Sequence, residues 1–164
     1  MALVPQVVDA VKIPVIAAGG IADGRGIAAA FMLGAEAVQM GTRFVATQEC
    51  NVHENYKQFV LKAKDIDTRV TGRTTGHPVR TLRNPMTKEY LEKEAAGASF
   101  EELELLTLGG LRKAVVDGDV KTGSVMSGQI AGMVKDIPTC KDLKARLMAE
   151  TKETVRKNSF LAEE

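Results

Sequence analysis

Two short apolar segments that each end in glycine place the strongest constraint on how this chain can fold. The run Ile13–Ala18 is followed by Gly19–Gly20, and the segment Ala35–Phe44 is interrupted at Gly41–Thr42. An uninterrupted apolar run of this kind suits a strand that is buried on both faces, as in a parallel sheet. Since Gly19–Gly20 and Gly41–Thr42 are about one βα unit apart, we expect two parallel strands whose carboxyl ends lie side by side.

The segments before, between and after these two strands are predicted to be helices. Apolar residues between Leu3 and Val11 recur at helical spacing and predict a first helix. Asp23 is a favourable N-cap for a second helix that runs through Leu33 and ends at Gly34. A third helix is expected over about residues 51–64. The α-β-α-β-α order with short connections is typical of consecutive βα units.

The character of the chain changes after the third helix. Segment 68–88 carries four arginines, one lysine, one histidine and no acid, and it is predicted to be an irregular basic connector. Four further helices are expected: over about 86–96, from the capping-box Ser99 to Leu106, over 111–116 and over 141–157. The last of these is expected to follow a Thr139 cap and to turn Leu143, Leu147 and Val155 inward.

Composition excludes several classes of protein. The chain has 164 residues, 45% hydrophobic and 26% charged, which is typical of a soluble globular protein with about one domain. Its net charge of +1 gives no general attraction to nucleic acid or to a membrane. No signal peptide or spanning segment is predicted. Cys50 and Cys140 are far apart and form no Cys/His cluster, so we expect a cytoplasmic protein without metal or disulfides.

Glycines at neighbouring strand ends can form an anion-binding site. Backbone N–H groups approach a phosphate closely where no Cβ intervenes, and the N-terminus of the helix after Asp23 would add positive potential. Thr42 offers a hydroxyl donor. In (β/α)8 barrels a phosphate site commonly lies in the loops after strands seven and eight. Tight strand-to-helix turns alone would also explain these glycines.

The residues IPVIAAGGIADGRGIAAAFMLGAEAVQMGTRF resemble the FMN-phosphate half of the nitronate monooxygenase / enoyl-acyl-carrier-protein reductase II family, a 2-nitropropane dioxygenase-like group. The resemblance is strongest over 1–84 and 122–134. It implies an α/β fold: the C-terminal part of a (β/α)8 TIM barrel, about two βα units, followed by a small mainly helical domain. The implied limits are 1–66 for the barrel units, 67–134 for a connector and substrate or lid domain, and 135–164 for the C-terminal helix.

The resemblance also implies which residues bind cofactor and substrate. The implied FMN-binding residues are Ala18, Gly19, Gly20, Gln39, Met40, Gly41 and Thr42. The implied substrate residues are His77, Met126, Ser127 and Gln129. The catalytic histidine of the family would precede Met1, so no catalytic residue is assigned. The chain is therefore expected to be the C-terminal half of such an enzyme, begun at an internal methionine or left by truncation.

Three segments allow a functional and a structural interpretation. The glycine-rich stretch around Met126 could line the flavin and acyl pocket, or Gly128 and Gly132 could let two helices pack closely. The arginine cluster 69–83 could meet an acidic carrier protein or cofactor phosphates, or it could be a solvated basic loop. His77 could contact substrate or could be an exposed or structural histidine.

GHPVRTLRN and GSVMSGQIAG look more like the reductase branch of the family. They predict NADH- or NADPH-dependent reduction of enoyl-acyl-carrier-protein thioesters through FMN, in bacterial fatty-acid synthesis. The alternatives are FMN-dependent oxidation of alkyl nitronates, and a non-catalytic phosphate-binding or interaction module. Two parallel strands cannot close a barrel. We therefore expect exposed strand edges, homo-oligomerisation, weak FMN binding and a fragment without activity. The expected partner is acyl-carrier protein or an acyl thioester substrate.

Overall fold

The computed structural model describes residues 2–162. Residues 1, 163 and 164 lie outside the described part, and they include the first and last residues of the predicted domains. The chain divides into two units. The first unit comprises the described residues up to Gly41 and those from Pro138 onward, and the second unit is Thr42–Ile137. The domain limits implied by the resemblance stay a prediction.

Helices and short strands alternate along the described residues. In chain order the elements are α1 (Leu3–Ala10), β1 (Ile16–Ala18), α2 (Gly24–Met32), β2 (Ala37–Gln39), α3 (Thr42–Val45), α4 (Glu54–Leu61), β3 (Thr68–Thr71), β4 (Val79–Leu82), α5 (Pro85–Ala95), α6 (Phe100–Thr107), α7 (Gly110–Val115), a 3₁₀ helix (Gln129–Met133), α8 (Cys140–Lys157) and a final 3₁₀ turn (Ser159–Ala162). None of the helices within residues 2–162 is long and apolar enough to cross a membrane.

Helix α2 of the first unit begins and ends where the sequence predicts. The Asp23 side chain accepts a hydrogen bond from the Gly26 N–H over 3.0 Å, which satisfies a helix N-terminal donor. Gly34 follows the helix with φ +93°, a conformation that favours glycine. Gly24 lets α2 approach α8 closely, because a Cβ there would lie 2.6 Å from the carbonyl carbon of Glu150.

Helix α8 completes the first unit. The Thr139 side chain accepts a hydrogen bond from the Asp142 N–H over 3.1 Å, so the predicted cap is confirmed. Leu143 and Leu147 are buried as predicted. The prediction for Val155 is wrong, since 42% of this residue is exposed. It lies in the last turns of α8, beyond the part of the helix that packs its apolar residues inward.

Strands β1 and β2 pair in parallel, with Ile16 opposite Ala37 and Ala18 opposite Gln39. The prediction of a strand buried on both faces over the whole run 13–18 is wrong. The strand spans only three residues, and Ile13 and Ile16 are 72% and 61% exposed. Ala17 of the same strand is buried, so only one face of β1 is covered. Within the described residues β1 has only β2 as a neighbour, so the expected exposed strand edges are present.

The second unit contains a β-hairpin where the sequence predicts an irregular connector, so that prediction is wrong. Strands β3 and β4 pair antiparallel, with Thr68 opposite Leu82 and Thr71 opposite Val79. Thr68, Thr71 and Leu82 are buried. Since Thr68 and Thr71 are three residues apart, they lie on opposite faces of β3, so both faces of the hairpin are partly covered. The strands are only four residues long and interleave arginine with threonine and valine, which obscures their alternating pattern.

The helices of the second unit follow local signals. The capping box of α6 is confirmed: the Glu102 N–H donates to the Ser99 side chain, and the Glu102 carboxylate accepts from the Ser99 N–H. The third predicted helix is the shorter α4, and α3 was not predicted. The glycine-rich stretch forms the 3₁₀ helix, in which Gly132 packs closely on backbone: a Cβ there would lie 2.7 Å from the Asp65 nitrogen.

Candidate functional site

The glycines after β1 and β2 lie at one edge of the parallel sheet in the first unit. Since Ala18 pairs with Gln39, the residues that follow each strand leave the sheet on the same side. Gly19 and Gly20 have φ values of +89° and +76°, which favour glycine. A Cβ on Gly19, Gly20 or Gly41 would meet nothing within 4 Å. The backbone at this edge is therefore accessible to a ligand.

The N–H groups of these glycines can bind an anion. Within residues 2–162, no protein acceptor is found for the N–H of Gly19, Gly20 or Gly41. Phosphate oxygens accept hydrogen bonds from successive backbone N–H groups of this kind. The donors and the open space beside them fit the phosphate group of FMN. Gln39 and Met40 stand at the end of β2 on the same edge.

The N-terminus of α2 does not match the expectation that it would face the anion. Glu150 accepts from the Gly24 N–H over 3.0 Å, and Asp23 accepts from the Gly26 N–H. Partial burial opposes ionisation of Asp23, but hydrogen bonds from Arg25 and Gly26 outweigh it and hold the pKa of this carboxyl below its usual value. Because carboxylates already occupy these donors, any phosphate site depends on the glycine backbone rather than on this helix end.

Thr42 begins α3 in the second unit. Its Oγ1 accepts a hydrogen bond from the Gly128 N–H over 2.8 Å. A hydroxyl that accepts through oxygen keeps its own hydrogen available to donate. The contact joins a predicted cofactor residue to the predicted substrate stretch 126–129.

The predicted substrate stretch runs beside β4 as an added extended segment. The Leu82 N–H donates to the Val125 carbonyl over 2.8 Å, and the Ser127 N–H donates to the Arg80 carbonyl over 3.1 Å. Thr81 and Met126 lie opposite each other between these bonds. The hairpin therefore holds the backbone of Met126, whose side chain remains exposed. Ser127 is buried, whereas Gln129, the first residue of the 3₁₀ helix, is only partly buried.

Tyr56 of α4 is a further residue of this site. It is 3% exposed, and its hydroxyl donates to the Met126 carbonyl over 2.5 Å. Burial, with a smaller effect of Cys50, raises the pKa of Tyr56 to about 12. The phenol therefore stays protonated, and remains a donor, at all ordinary pH values. No local signal in the sequence links position 56 to position 126.

A cavity of about 330 Å³ lies in the second unit between the hairpin, α5, α6 and α7. Its wall combines apolar side chains with the hydroxyls of four threonines and one serine. His77 and Met126 both line it, so the structure brings together two of the four predicted substrate residues. Ser127 and Gln129 are not part of its lining. The His77 ring lies 5.7 Å from the Phe100 ring, centroid to centroid, at a tilt of 52°.

This cavity has the size and composition of a small-molecule site. Such sites are concave, mostly apolar, and carry a few polar groups that orient the ligand. Glu104 contributes a carboxyl group to the lining, and His77 contributes an imidazole ring. The cavity could accept an apolar chain or ring, with threonine hydroxyls to hydrogen-bond an amide or carbonyl.

Comparison with known proteins adds a family and several relatives. A family model described as "Nitronate monooxygenase" matches residues 1–150. A protein of Staphylococcus saprophyticus named "Probable nitronate monooxygenase" is 38% identical over 135 residues, which is 82% of this chain and 38% of that protein.

Two solved structures are also similar. FabK from Thermotoga maritima superposes with a TM-score of 0.90 at 51% identity, over 97% of this chain and 50% of that chain. A nitroalkane oxidase from Streptomyces ansochromogenes superposes with a TM-score of 0.78 at 33% identity, over 96% of this chain and 45% of that one. The chain thus spans half or less of the length of each of these relatives.

Proposed function

Because the chain belongs to the nitronate monooxygenase family, whose members are FMN-dependent oxidoreductases, we propose that it forms part of an FMN-dependent enoyl-acyl-carrier-protein reductase. NADH or NADPH would be the co-substrate. The observation that carries this choice is the similarity to FabK, which is higher in identity and in TM-score than the similarity to the nitroalkane oxidase. The reductase-like residues GHPVRTLRN and GSVMSGQIAG support the same choice.

In this proposal the first unit anchors the cofactor. The N–H groups of Gly19, Gly20 and Gly41 would donate hydrogen bonds to the FMN phosphate, and Gln39 and Met40, at the end of β2, would help to hold it. Ala18 ends β1, and Thr42 is the next residue after Gly41 in the chain. Bound FMN would supply the redox chemistry by passing a hydride from the nicotinamide to the enoyl thioester. The chain's own contribution is to bind and orient.

The second unit would bind the substrate. The cavity that His77 and Met126 line would take the apolar part of the acyl thioester, and the threonine hydroxyls would hydrogen-bond its polar atoms. Ser127 and Gln129 would act through the backbone of the same stretch. Arg69, Arg83 and Lys88 border an open groove, which would suit the acidic surface of an acyl-carrier protein. Charges of opposite sign mainly accelerate and orient such an encounter.

A glycine substitution tests the phosphate site. Gly20→Ala forces a side chain into φ +76°, whereas its would-be Cβ meets open space. Gly97→Ala is the matched control, because Gly97 has φ +81° and equally open surroundings in the second unit. Both substitutions are expected to cost about 1–2 kcal/mol of stability. Only Gly20→Ala is expected to weaken FMN binding, by about fivefold or more, as measured by flavin fluorescence titration.

Riboflavin, which has no phosphate, is the ligand control, and its affinity should not distinguish the two variants. Equal FMN affinity of both variants, or no saturable FMN binding by the wild-type chain, would contradict the site. Absence of binding would instead favour a non-catalytic interaction module.

Nitronate oxidation is the second candidate function, because the Staphylococcus relative is named a probable nitronate monooxygenase. Turnover by the full-length protein that contains this chain separates the two. Rapid reduction of the flavin by NADH and turnover of a crotonyl thioester support the reductase. Turnover of an alkyl nitronate with dioxygen, without NADH consumption, would contradict the reductase and support nitronate oxidation.

A further inference from the structure

Glu94 is a nearly buried carboxylate that the proposed chemistry does not use. It lies on α5 and is 9% exposed. Its Oε1 accepts two hydrogen bonds from Thr74, one from the backbone N–H over 3.0 Å and one from the hydroxyl over 2.9 Å. Thr74 belongs to the loop that joins β3 to β4. A buried carboxylate thus holds a surface loop by two charge-assisted hydrogen bonds.

The loop 72–77 also has hydrogen bonds within itself, one of them from the Gly76 N–H to the Arg73 carbonyl over 3.4 Å. The Thr75 hydroxyl donates to the Gly72 carbonyl over 3.1 Å, and Gly72 has φ +74°. Tyr90 lines the cavity together with Thr75. Tyr90 and Glu94 are four residues apart, so they lie on the same face of α5. This face of α5 therefore holds Thr74 through Glu94 and carries the cavity residue Tyr90 one turn earlier.

The same loop forms part of the cavity wall. Thr75 and His77 line the cavity, and the His77 ring contacts the ring of Phe100 of α6, which also lines it. Glu94 itself is not part of the lining. A shift of the loop would move the His77 ring away from Phe100 and open that side of the cavity.

We propose that Glu94 is a positioning residue: by holding Thr74, it sets the place of His77 in the cavity wall and thereby the affinity of the cavity for its ligand. The consequence for substrate rests on the proposed function of the cavity. The effect of Glu94 on the His77 ring does not, and it can be measured without flavin or turnover.

Three variants of the full chain test the proposal. Glu94→Ala removes the acceptor, Glu94→Gln keeps an oxygen at the same place, and Glu92→Ala is the matched control. Glu92 is exposed on the same helix and pairs with Lys88 across one turn. The sequence has only two histidines, so the ring signals of His77 can be followed by NMR with His53 as an internal reference. His77→Gln assigns them.

Glu94→Ala is expected to shift the His77 ring signals, because the Phe100 ring no longer shields them, and to leave the His53 signals in place. It is also expected to weaken binding of the apolar fluorescent probe N-phenyl-1-naphthylamine by about 3- to 10-fold. Glu92→Ala should behave as wild type, and Glu94→Gln, whose neutral oxygen accepts weaker hydrogen bonds, should give smaller changes than Glu94→Ala. Thr107→Phe should abolish probe binding, since Thr107 lines the cavity.

Unchanged His77 signals and probe affinity in Glu94→Ala would overturn the proposal. So would equal losses in Glu94→Ala and Glu94→Gln, because a neutral acceptor should partly restore the loop. Thr74→Val, which removes only the hydroxyl donor, serves if Glu94→Ala does not fold, and it should give a smaller shift of the same signals. An unshifted His77 ring in Thr74→Val would then count against the proposal. Loss of FMN binding without these changes would affect the proposed function alone.

Discussion

Tyr56→Phe removes a single hydroxyl from the interior of the second unit. The wild-type phenol donates to the Met126 carbonyl over 2.5 Å, and 3% of the residue is exposed. Phenylalanine has nearly the same shape but leaves that carbonyl without this donor. An unsatisfied buried acceptor costs about 1–3 kcal/mol. We therefore expect Tyr56→Phe to lower the free energy of unfolding by that amount at pH 7.

The stability difference between wild type and Tyr56→Phe should depend on pH. Burial raises the pKa of Tyr56 to about 12, from 10.0 in the unfolded chain. Between these values the unfolded state releases the phenolic proton while the folded state keeps it, so wild-type stability falls as the pH rises. By pH 11 this loss amounts to about 1.4 kcal/mol. Tyr56→Phe has no phenolic proton at this position. The difference in the free energy of unfolding between wild type and this variant therefore narrows by the same amount.

Urea unfolding at pH 7 and pH 11 measures both effects. Tyr90→Phe is the control, since it removes the other tyrosine hydroxyl of the chain, which lines the cavity and has no hydrogen bond to a buried carbonyl among the described residues. We expect a smaller loss for it at pH 7. A difference between wild type and Tyr56→Phe that stays constant from pH 7 to pH 11 would refute the reasoning, as would a variant as stable as wild type at pH 7.

Two further predictions concern helix packing and capping. Gly24→Ala should destabilise the first unit by about 1–3 kcal/mol, because a Cβ would lie 2.6 Å from the carbonyl carbon of Glu150. Gly26→Ala should stay within about 1 kcal/mol of wild type in the same thermal melts, since its nearest neighbour would be a methyl group of Ile21 at 3.2 Å, and a large loss there would contradict this. Ser99→Ala should cost about 0.5–2 kcal/mol, whereas Ser99→Thr should retain the cap, and equal stability of the two variants by urea unfolding would contradict it.

Helix ends were predictable because their signals are local. Asp23 and Gly34 bound α2, and Ser99 with Glu102 begins α6, within a few residues of the groups they satisfy. Parallel pairing of β1 with β2 also followed, because short connections through a helix leave few other arrangements. The sequence alone therefore places Gly19, Gly20 and Gly41 at one edge of this sheet.

Burial and long-range contacts were not predictable in the same way. The run 13–18 is apolar enough for a buried strand, yet its exposure depends on which strands lie beside it. The hairpin needs β3 to meet β4 and the stretch 125–127 to join them, and no residue within 68–82 signals that third segment.

By itself the sequence determined the caps of α2, α6 and α8, the order of strands and helices in the first unit, and the family, because caps, periodicity and motifs act over short distances along the chain. Only the tertiary structure decided that His77 and Met126 share one cavity, that Tyr56 holds the Met126 backbone, and that Glu94 supports the His77 loop. Each of these contacts joins residues that are distant in sequence. The pairing becomes favourable only after packing has excluded water from both partners.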